Sequence, residues 1–368
     1  SALFWLLTIA AAAFDVVSHA RGTSITNYSR ELIQTLLEVI LPIVSMAILV
    51  HRTKDFRFFS TYVIATGMFM ALTAAFEAMQ SWNIYRSIYE HVGLEPVWFA
   101  TIWRGGFMRA TGPVFDATSM GIIITIFLLF VWCSRGVIKS TGWTFAITLI
   151  LFLGIYFTQS RNPIIGTGIG ISVWLAVKFG KKLGSMILYG AIGIAVAAIV
   201  VIISAERPSK VASNLPESTL EYRVRLFDRG VDEFLRHPIV GQSKPAVDAR
   251  MEDLRQGEKI IDYVNSYLYV GLLSGIIGLT IFVGLFITLP AHVFNKLKNS
   301  GFYDPEGMSV FLLCLSISFI TMSFFTWIFG AILPIYLLLQ CALVGRLHRR
   351  EALVRPTAMP PVPSAQII

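Results

Sequence analysis

Arg161 occupies a position where an arginine needs an explanation. It lies in the segment TQSRNP, and it is the only Asp, Glu, Lys or Arg between Lys139 and Lys178. A charge between two apolar stretches costs several kcal/mol unless it is paired or hydrated, so it indicates a functional site. The alternative is an interfacial arginine that anchors the end of a helix.

Arg223 is the second candidate, on an amphipathic helix predicted over 218–236. The apolar residues at helical spacing in this segment are Leu220, Val224, Phe227, Val231, Phe234 and Leu235. Arg223 lies at the border of this stripe, and the residues three and four positions away from it are not acidic. A guanidinium in this place either reaches lipid phosphate or binds an anionic ligand, because it donates paired N–H bonds to phosphate.

Other arginines of the polar segments have competing explanations. Arg225, Arg229 and Arg236 share a flank of the predicted helix with acidic residues, which predicts a salt-bridged, solvated surface. Arg104 and Arg109 lie in WRGGFMRATGPVFD, where Gly and Pro indicate a segment that re-enters the bundle. Both are candidates for a functional site, with helix anchoring as the alternative.

Asp262 has the most informative position among the carboxylates. It stands in DYVNSYL, where the polar segment 205–263 gives way to an apolar stretch. Most other carboxylates of this surface are expected to be salt-bridge partners. The sequence contains no Gly-rich phosphate loop, zinc-ligand spacing or nucleophile elbow, so it predicts neither a metal nor a cofactor.

Membrane helices must position these residues. Of the 368 residues, 55% are hydrophobic and only 14% charged, and the stretches 185–204 and 308–345 contain no Asp, Glu, Lys or Arg. We therefore predict an all-α polytopic membrane protein of about ten transmembrane helices. The predicted spans are 1–17, 31–50, 58–80, 116–132, 143–158, 164–178, 184–204, 266–290, 308–326 and 329–345.

The chain opens on the apolar run SALFWLLTIAAAAF, without a basic start or a small-residue cleavage site. We interpret this run as a first span, or as the start of a truncated chain that lacks one or two spans of about 12, and not as a signal peptide.

Charge predicts the orientation. The short loops on one side carry an excess of Lys and Arg, which places them and both termini in the cytoplasm. The chain then divides into N-terminal membrane helices (1–204) with an outer segment near 81–115, a large, helical outer loop (205–263), C-terminal membrane helices (264–345) and a disordered cytoplasmic tail (346–368). Orientation and the anionic inner leaflet account for the net charge of +8, which therefore does not indicate nucleic acid as a partner.

Four segments carry a resemblance to a known family. They are RATGPVFDATSMG, TQSRNPIIGTGIG, YRVRLFDRGVDEFLRHPIVGQS and DYVNSYLYVGLLSGIIGL, in this order. Over residues 100–280 the chain resembles the O-antigen ligase and O-antigen or exopolysaccharide polymerase superfamily. The resemblance implies an inverting, metal-independent glycosyltransferase of the bacterial inner membrane. Its implied partners are a glycan donor on undecaprenyl diphosphate, a glycan acceptor, the bilayer and other polysaccharide-assembly proteins, with the active site on the periplasmic face.

The resemblance also implies roles for the arginines. In the family, arginines after a T-x-S-R turn and in the periplasmic loop bind the diphosphate, and these correspond to Arg161 and Arg223. Arg104 and Arg109 are further candidates for binding the diphosphate.

The segment after the loop departs from the ligase pattern. Ligases carry a His-Asn pair in which the histidine helps to activate the acceptor, and here Val264 stands in the place of the histidine, before Asn265. The pattern D-x-x-N-S-Y-L is more like the polymerase branch. It implies Asp262 as the catalytic base and Asn265 and Tyr267 as acceptor-binding residues.

We therefore expect a polymerase that joins lipid-linked repeat units of a surface polysaccharide, with a ligase as the alternative. A transporter or flippase is the alternative from another class. Coupled transporters usually place ionisable groups in mid-span, and Glu38 and Glu77 are the candidates for such groups here. The arginines at the outer edge favour the enzyme.

Overall fold

The fold is known from a computed structural model. It describes residues 24–52, 56–92, 103–134, 140–179, 219–255, 261–300 and 307–340, apart from 105, 115, 327, 329–331 and 338, together with residues 6, 8–10 and 13. The predicted span 184–204, most of the span 1–17, the first part of the loop (205–218) and the tail 346–368 lie outside the described residues.

The described residues are mostly helical, as predicted. The helices are α1, in which the π-helical turn Leu36–Ile40 joins Ile25–Thr35 to Leu41–Arg52, α2 (Phe56–Gln80), α3 (Ile84–His91), α4 (Ala117–Cys133), α5 (Thr141–Phe157), α6 (Arg161–Phe179), α7 (Thr219–Arg236), α8 (Lys244–Arg250), α9 (Ser266–Ser300) and α10 (Met308–Ser323). The strands β1 (Trp103–Arg104) and β2 (Phe107–Met108) pair in an antiparallel hairpin, which the all-α prediction did not contain.

By length and composition, three described stretches qualify as membrane spans: Phe58–Gln80, Arg161–Phe179 and Ser266–Thr288, the last of which is interrupted at Gly275. Three shorter apolar helices accompany them: Ala117–Cys133, Thr141–Phe157 and Met308–Ser323. These helices support the predicted membrane-embedded fold, whereas the count of about ten spans is not confirmed.

The bundle is centred on α4, whose side chains are almost all buried. A helix that is apolar all round is stable only inside a bundle or in lipid. Glycines let neighbouring helices approach it and each other closely: a Cβ on Gly67 would lie 2.6 Å from Phe127 Cβ, and one on Gly154 would lie 2.6 Å from Ala71 Cβ. Small residues at helix contacts are typical of membrane bundles.

The apolar stretch assigned to the span 266–290 is divided. Gly275 adopts φ 62° and ψ −162°, which interrupts the helix α9. The rings of Tyr267 and Phe282 lie 5.6 Å apart, although residues this far apart in a straight helix would be separated by about 22 Å. Residues 266–274 (α9a) therefore fold back on residues 276–300 (α9b).

The chain also turns back after α10, as the two adjacent spans predicted. Tyr336 stacks on Phe319 with ring centroids 4.1 Å apart. Further along, Gln340 Nε2 donates to Ser316 Oγ at 3.0 Å. Residues 332–340 therefore run antiparallel to α10.

Candidate active site

One end of the bundle, here called the site end, gathers the predicted site residues. It comprises the last residues of α2, α5 and α10 and the first residues of α4, α6 and α9a. Asn162 Nδ2 at the start of α6 donates to Met322 O at the end of α10 (3.1 Å), and Ser266 Oγ at the start of α9a donates to Thr326 O (2.6 Å). Three helix starts with partial positive charge meet three helix ends with partial negative charge here, so a preference of the site end for an anion must come from its arginines.

Arg161 is the first residue of α6, and its side chain is exposed. The turn that precedes it is tight, since Gln159 adopts φ 50°, a left-handed conformation that is uncommon outside glycine. Thr158 and Ser160 are buried on either side of Gln159. The turn therefore fixes the position of the Arg161 backbone at the start of α6.

Arg104 and Arg109 both contact this turn. Arg104 Nη1 donates to Gln159 O at 3.1 Å, and Arg109 Nε donates to Thr158 O at 3.2 Å. Burial and then the positive charge of Arg104 lower the pKa of the Arg109 guanidinium, and Asp116 acts in the opposite direction. The structure thus brings these two arginines onto the turn that leads into Arg161.

Glu77 is a site-end residue that the sequence analysis assigned only to the transporter alternative. It lies in the last turn of α2 and is fully buried, with Oε2 accepting from Thr111 N (3.1 Å) and Gly112 N (2.9 Å). Asn83 Nδ2 donates to Thr111 Oγ1 at 2.6 Å. Glu77 therefore holds the backbone that follows Arg109. An acidic residue near the end of an apolar helix was the sequence signal for this role.

The loop helix α7 lies beside the segment that contains Asp262. The Tyr222 hydroxyl donates to Asp262 O at 3.2 Å and accepts from Asp262 N at 3.0 Å. Further along, a Cβ on Gly230 would lie 2.7 Å from Leu268 Cδ2. The helices α7 and α9a therefore run parallel, and Tyr222, the residue before Arg223, ties the start of α7 to the backbone of Asp262.

The face of α7 that packs against the protein coincides only in part with the predicted apolar stripe, since Phe234 packs against the apolar cluster under the loop but the exposed stripe residues do not. Tyr222, Leu226 and Glu233 are buried, whereas Phe227 and Leu235 of the stripe are 53% and 64% exposed. The physical reason is that the Glu233 carboxylate accepts hydrogen bonds from Gln242 and Arg250 inside the loop. A carboxylate with such partners can be buried, so the face of α7 that contains Glu233 packs inward.

The predicted salt-bridged flank of α7 is confirmed, with a partner from another element. Arg225 and Arg229 reach Asp253 at 3.7 and 3.2 Å. Asp253 belongs to a short 3₁₀ turn after α8. The flank therefore joins α7 to the returning part of the loop.

Asn265 and Tyr267 have structural contacts at the start of α9a. Asn265 Oδ1 accepts from Tyr267 N (2.9 Å) and Leu268 N (3.0 Å), so Asn265 caps the helix. The Tyr267 hydroxyl donates to Ile320 O at 3.0 Å. Their acceptor-binding role stays a prediction. Val264, in the place of the family histidine, is half-buried against the apolar cluster under the loop.

Tyr263 is a loop contact that the sequence did not predict. Its hydroxyl donates to Asp248 Oδ1 at 2.8 Å, and burial followed by the Asp248 charge raises the pKa of Tyr263. The residue thus ties the segment around Asp262 to α8.

Comparison with known proteins agrees with the motifs. Residues 145–283 match a family model described as O-antigen ligase. The matched region is less than half of the chain, and it contains Arg161, Arg223, Asp262, Asn265 and Tyr267. No curated protein matches the chain. The match supports glycan transfer of the O-antigen ligase type in a membrane setting. The match over residues 145–283 supports the resemblance to the O-antigen ligase and polymerase superfamily that the motifs indicated.

Proposed function

We propose that the chain is an inverting, metal-independent glycosyltransferase that polymerises undecaprenyl-diphosphate-linked repeat units of a surface polysaccharide. It acts at the periplasmic face of the bacterial inner membrane, with both termini in the cytoplasm. One observation carries the proposal: the segment of Arg161 meets the end of α10 directly, and the helix of Arg223 is bonded to Asp262, whose segment meets the same helix end through Tyr267.

The contacts around α10 support this placement. Asn162, next to Arg161, bonds to Met322 O, and Tyr267 bonds to Ile320 O on the same helix end. Asp262, five residues before Tyr267, is bonded to the residue that precedes Arg223. The bundle side and the loop side of the site end are thus joined through the last turn of α10.

The chemistry follows from charge. An acceptor hydroxyl attacks the sugar carbon bonded to the diphosphate, that bond breaks, and negative charge grows on the departing diphosphate. Arg161 and Arg223 stabilise this charge with the N–H donors of their guanidinium groups. Attack from the face opposite the leaving group inverts the configuration at the sugar carbon.

Asp262 takes the proton of the acceptor hydroxyl in this proposal. Its side chain is exposed, and both its backbone groups are held by Tyr222. A general base must lie within hydrogen-bond reach of the proton that it accepts. The contacts of Tyr222 fix the backbone from which the carboxylate reaches the acceptor.

A ligase is the second candidate, because the matching family model is described as O-antigen ligase. A ligase would transfer a finished glycan to lipid A-core or to another acceptor. We favour the polymerase because Val264 provides no base where the ligase histidine is expected, whereas Asp262 provides one nearby.

The test is to delete the gene and to identify the glycans that accumulate on undecaprenyl diphosphate. A polymerase leaves single repeat units on the periplasmic side, and a ligase leaves long unattached chains. Units that stay on the cytoplasmic leaflet would contradict both proposals and indicate a flippase.

A further inference from the structure

A turn of the loop fills the break in α9. This turn, residues 238–242, follows α7 directly. Ile276 N donates to Pro238 O at 2.7 Å, and Gln242 N donates to Leu272 O at 2.9 Å. A broken helix leaves N–H and C=O groups without partners inside the helix. The turn supplies these partners, and we call this set of backbone bonds the junction.

Two glycines allow the turn and α9 to approach each other closely at the junction. Gly241 and Gly275 adopt φ +66° and +62°, where a side chain is disfavoured. A Cβ on Gly275 would lie 2.3 Å from Ile239 O, and one on Gly241 would lie 2.4 Å from Ser274 N. Backbone therefore touches backbone from both sides, which fixes the register between the turn and α9.

Glu233 holds the turn from the side of α7. It is only 4% exposed, and its Oε1 accepts from Gln242 Nε2 at 2.6 Å and from Arg250 Nη1 at 2.5 Å. Arg250 Nη1 also donates to Gln242 Oε1 at 2.7 Å. A buried carboxylate is stable only when it is paired and hydrogen-bonded. Glu233 thus links α7 and α8 to Gln242, whose backbone N–H belongs to the junction.

We infer that Glu233 is a positioning residue. Through Gln242 it sets the register of α7 on α9a, and it thereby sets the position of Arg223 relative to Asp262. The inference rests on the proposed function, because the register matters only if Arg223 acts on the substrate. Displacement by one helical residue moves a side chain by about 1.5 Å, and an error of about 1 Å can lower a rate about 10²-fold.

The first experiment measures amide hydrogen exchange in the full chain in lipid nanodiscs. Glu233→Gln removes the charge, and Asp232→Asn is the matched control at the exposed neighbouring position. We expect exchange at Ile276 N to become at least about tenfold faster in Glu233→Gln and to stay unchanged in Asp232→Asn. Unchanged exchange across 117–133 would show that Glu233→Gln is folded. Wild-type exchange at Ile276 in Glu233→Gln would overturn the inference.

The second experiment asks whether register is the route by which Glu233 acts. A Cβ on Gly230 lies 3.1 Å from Leu268 Cγ, so the pair Gly230→Cys and Leu268→Cys should form a disulfide that locks α7 on α9a. We expect Glu233→Gln to lose glycan transfer, oxidation of the cysteine pair to restore it, and reduction to abolish it again.

The outcomes separate the inference from the proposed function. Wild-type transfer in Glu233→Gln, or no recovery in its oxidised cysteine variant, would overturn the positioning role. If the wild-type chain transfers no glycan, the proposed function fails, while amide exchange still decides whether Glu233 holds the junction.

Discussion

The bundle side and the loop side of the site end hold their arginines in different ways. On the bundle side, Arg161 begins a membrane helix, and side chains of the β-hairpin segment bond to the turn before it. On the loop side, Arg223 lies on a helix outside the bundle. Its position is set by a close contact of Gly230 with the Leu268 side chain and by close backbone contacts at Gly241 and Gly275. The first arrangement follows from the bundle, whereas the second depends on how the loop docks.

The two halves of one site can therefore lose their structure separately. Damage to the bundle side should disturb the fold of the membrane helices. Damage to the junction should release the loop and leave the helices intact.

Replacing Arg161 on the bundle side or Arg223 on the loop side should lower glycan transfer to a similar extent. Arg161→Ala and Arg223→Ala should each lower glycan transfer by about 10²–10³-fold, because each removes a donor to the departing diphosphate. Both variants should insert and purify like the wild type. Arg225→Ala, at an exposed position paired with Asp253, is the control and should keep nearly full transfer. Near-wild-type transfer in Arg161→Ala or Arg223→Ala would remove that arginine from the mechanism.

Gly275→Ala should release the loop. The new methyl group would meet Ile239 O at 2.3 Å, and the left-handed backbone adds a cost of about 1–3 kcal/mol. Limited proteolysis should therefore cut 219–255 faster, while the bundle helices stay protected. Gly168→Ala is the matched control, since nothing lies within 4 Å of its Cβ position. Equal cleavage of the two variants would contradict the docking role of the junction.

Glu77→Ala tests the bundle side. It leaves the buried N–H groups of Thr111 and Gly112 without their acceptor, which costs about 1–3 kcal/mol for each group. The thermal midpoint of the membrane helices should fall. Glu77→Gln keeps an oxygen that can accept, so its midpoint should lie between those of Glu77→Ala and the wild type. A midpoint for Glu77→Ala equal to the wild-type value would show that Glu77 does not hold this segment.

The smallest effect concerns pH. Burial tends to raise the pKa of Glu233, but hydrogen bonds from Gln242 and Arg250 and the charges of Arg250 and Arg236 outweigh it, so the pKa is lowered from 4.5. Because the folded state lowers it, the carboxylate stabilises the loop fully above pH 4.5 and loses this effect as the pH falls through the lowered pKa.

Thermal unfolding at several pH values checks this sign. The difference between the wild type and Glu233→Gln should be constant from about pH 7 to pH 5 and should shrink below pH 4.5. A difference that shrinks above pH 5 would contradict the assignment.

The sequence predicted the bundle side better than the loop side. Arg161 was identifiable because it is an isolated charge between two apolar helices, which composition reveals directly. The contacts that Arg104 and Arg109 make with the turn before Arg161 were not predictable, since they join residues about 50 positions apart in the chain.

The loop side shows why helical periodicity was insufficient. The prediction of the apolar stripe of α7 rested on the expectation that a carboxylate faces water. Glu233 is instead buried, because Arg250, 17 residues later, pairs with it. Likewise GLLSGIIGL has the composition of an uninterrupted membrane helix. The break at Gly275 depends on a turn 35 residues earlier, around Val240, which no local pattern of α9 contains.

In the proposed mechanism Arg161 and Arg223, held by separate parts of the molecule, act on one diphosphate. Binding of undecaprenyl diphosphate to the purified wild type, Arg161→Ala, Arg223→Ala and the double variant tests it most directly. We predict that each single variant binds more weakly, and that the double variant loses much less binding free energy than the sum of the single losses, since both side chains contact one ligand. Wild-type binding by both single variants, or losses that simply add, would contradict the claim.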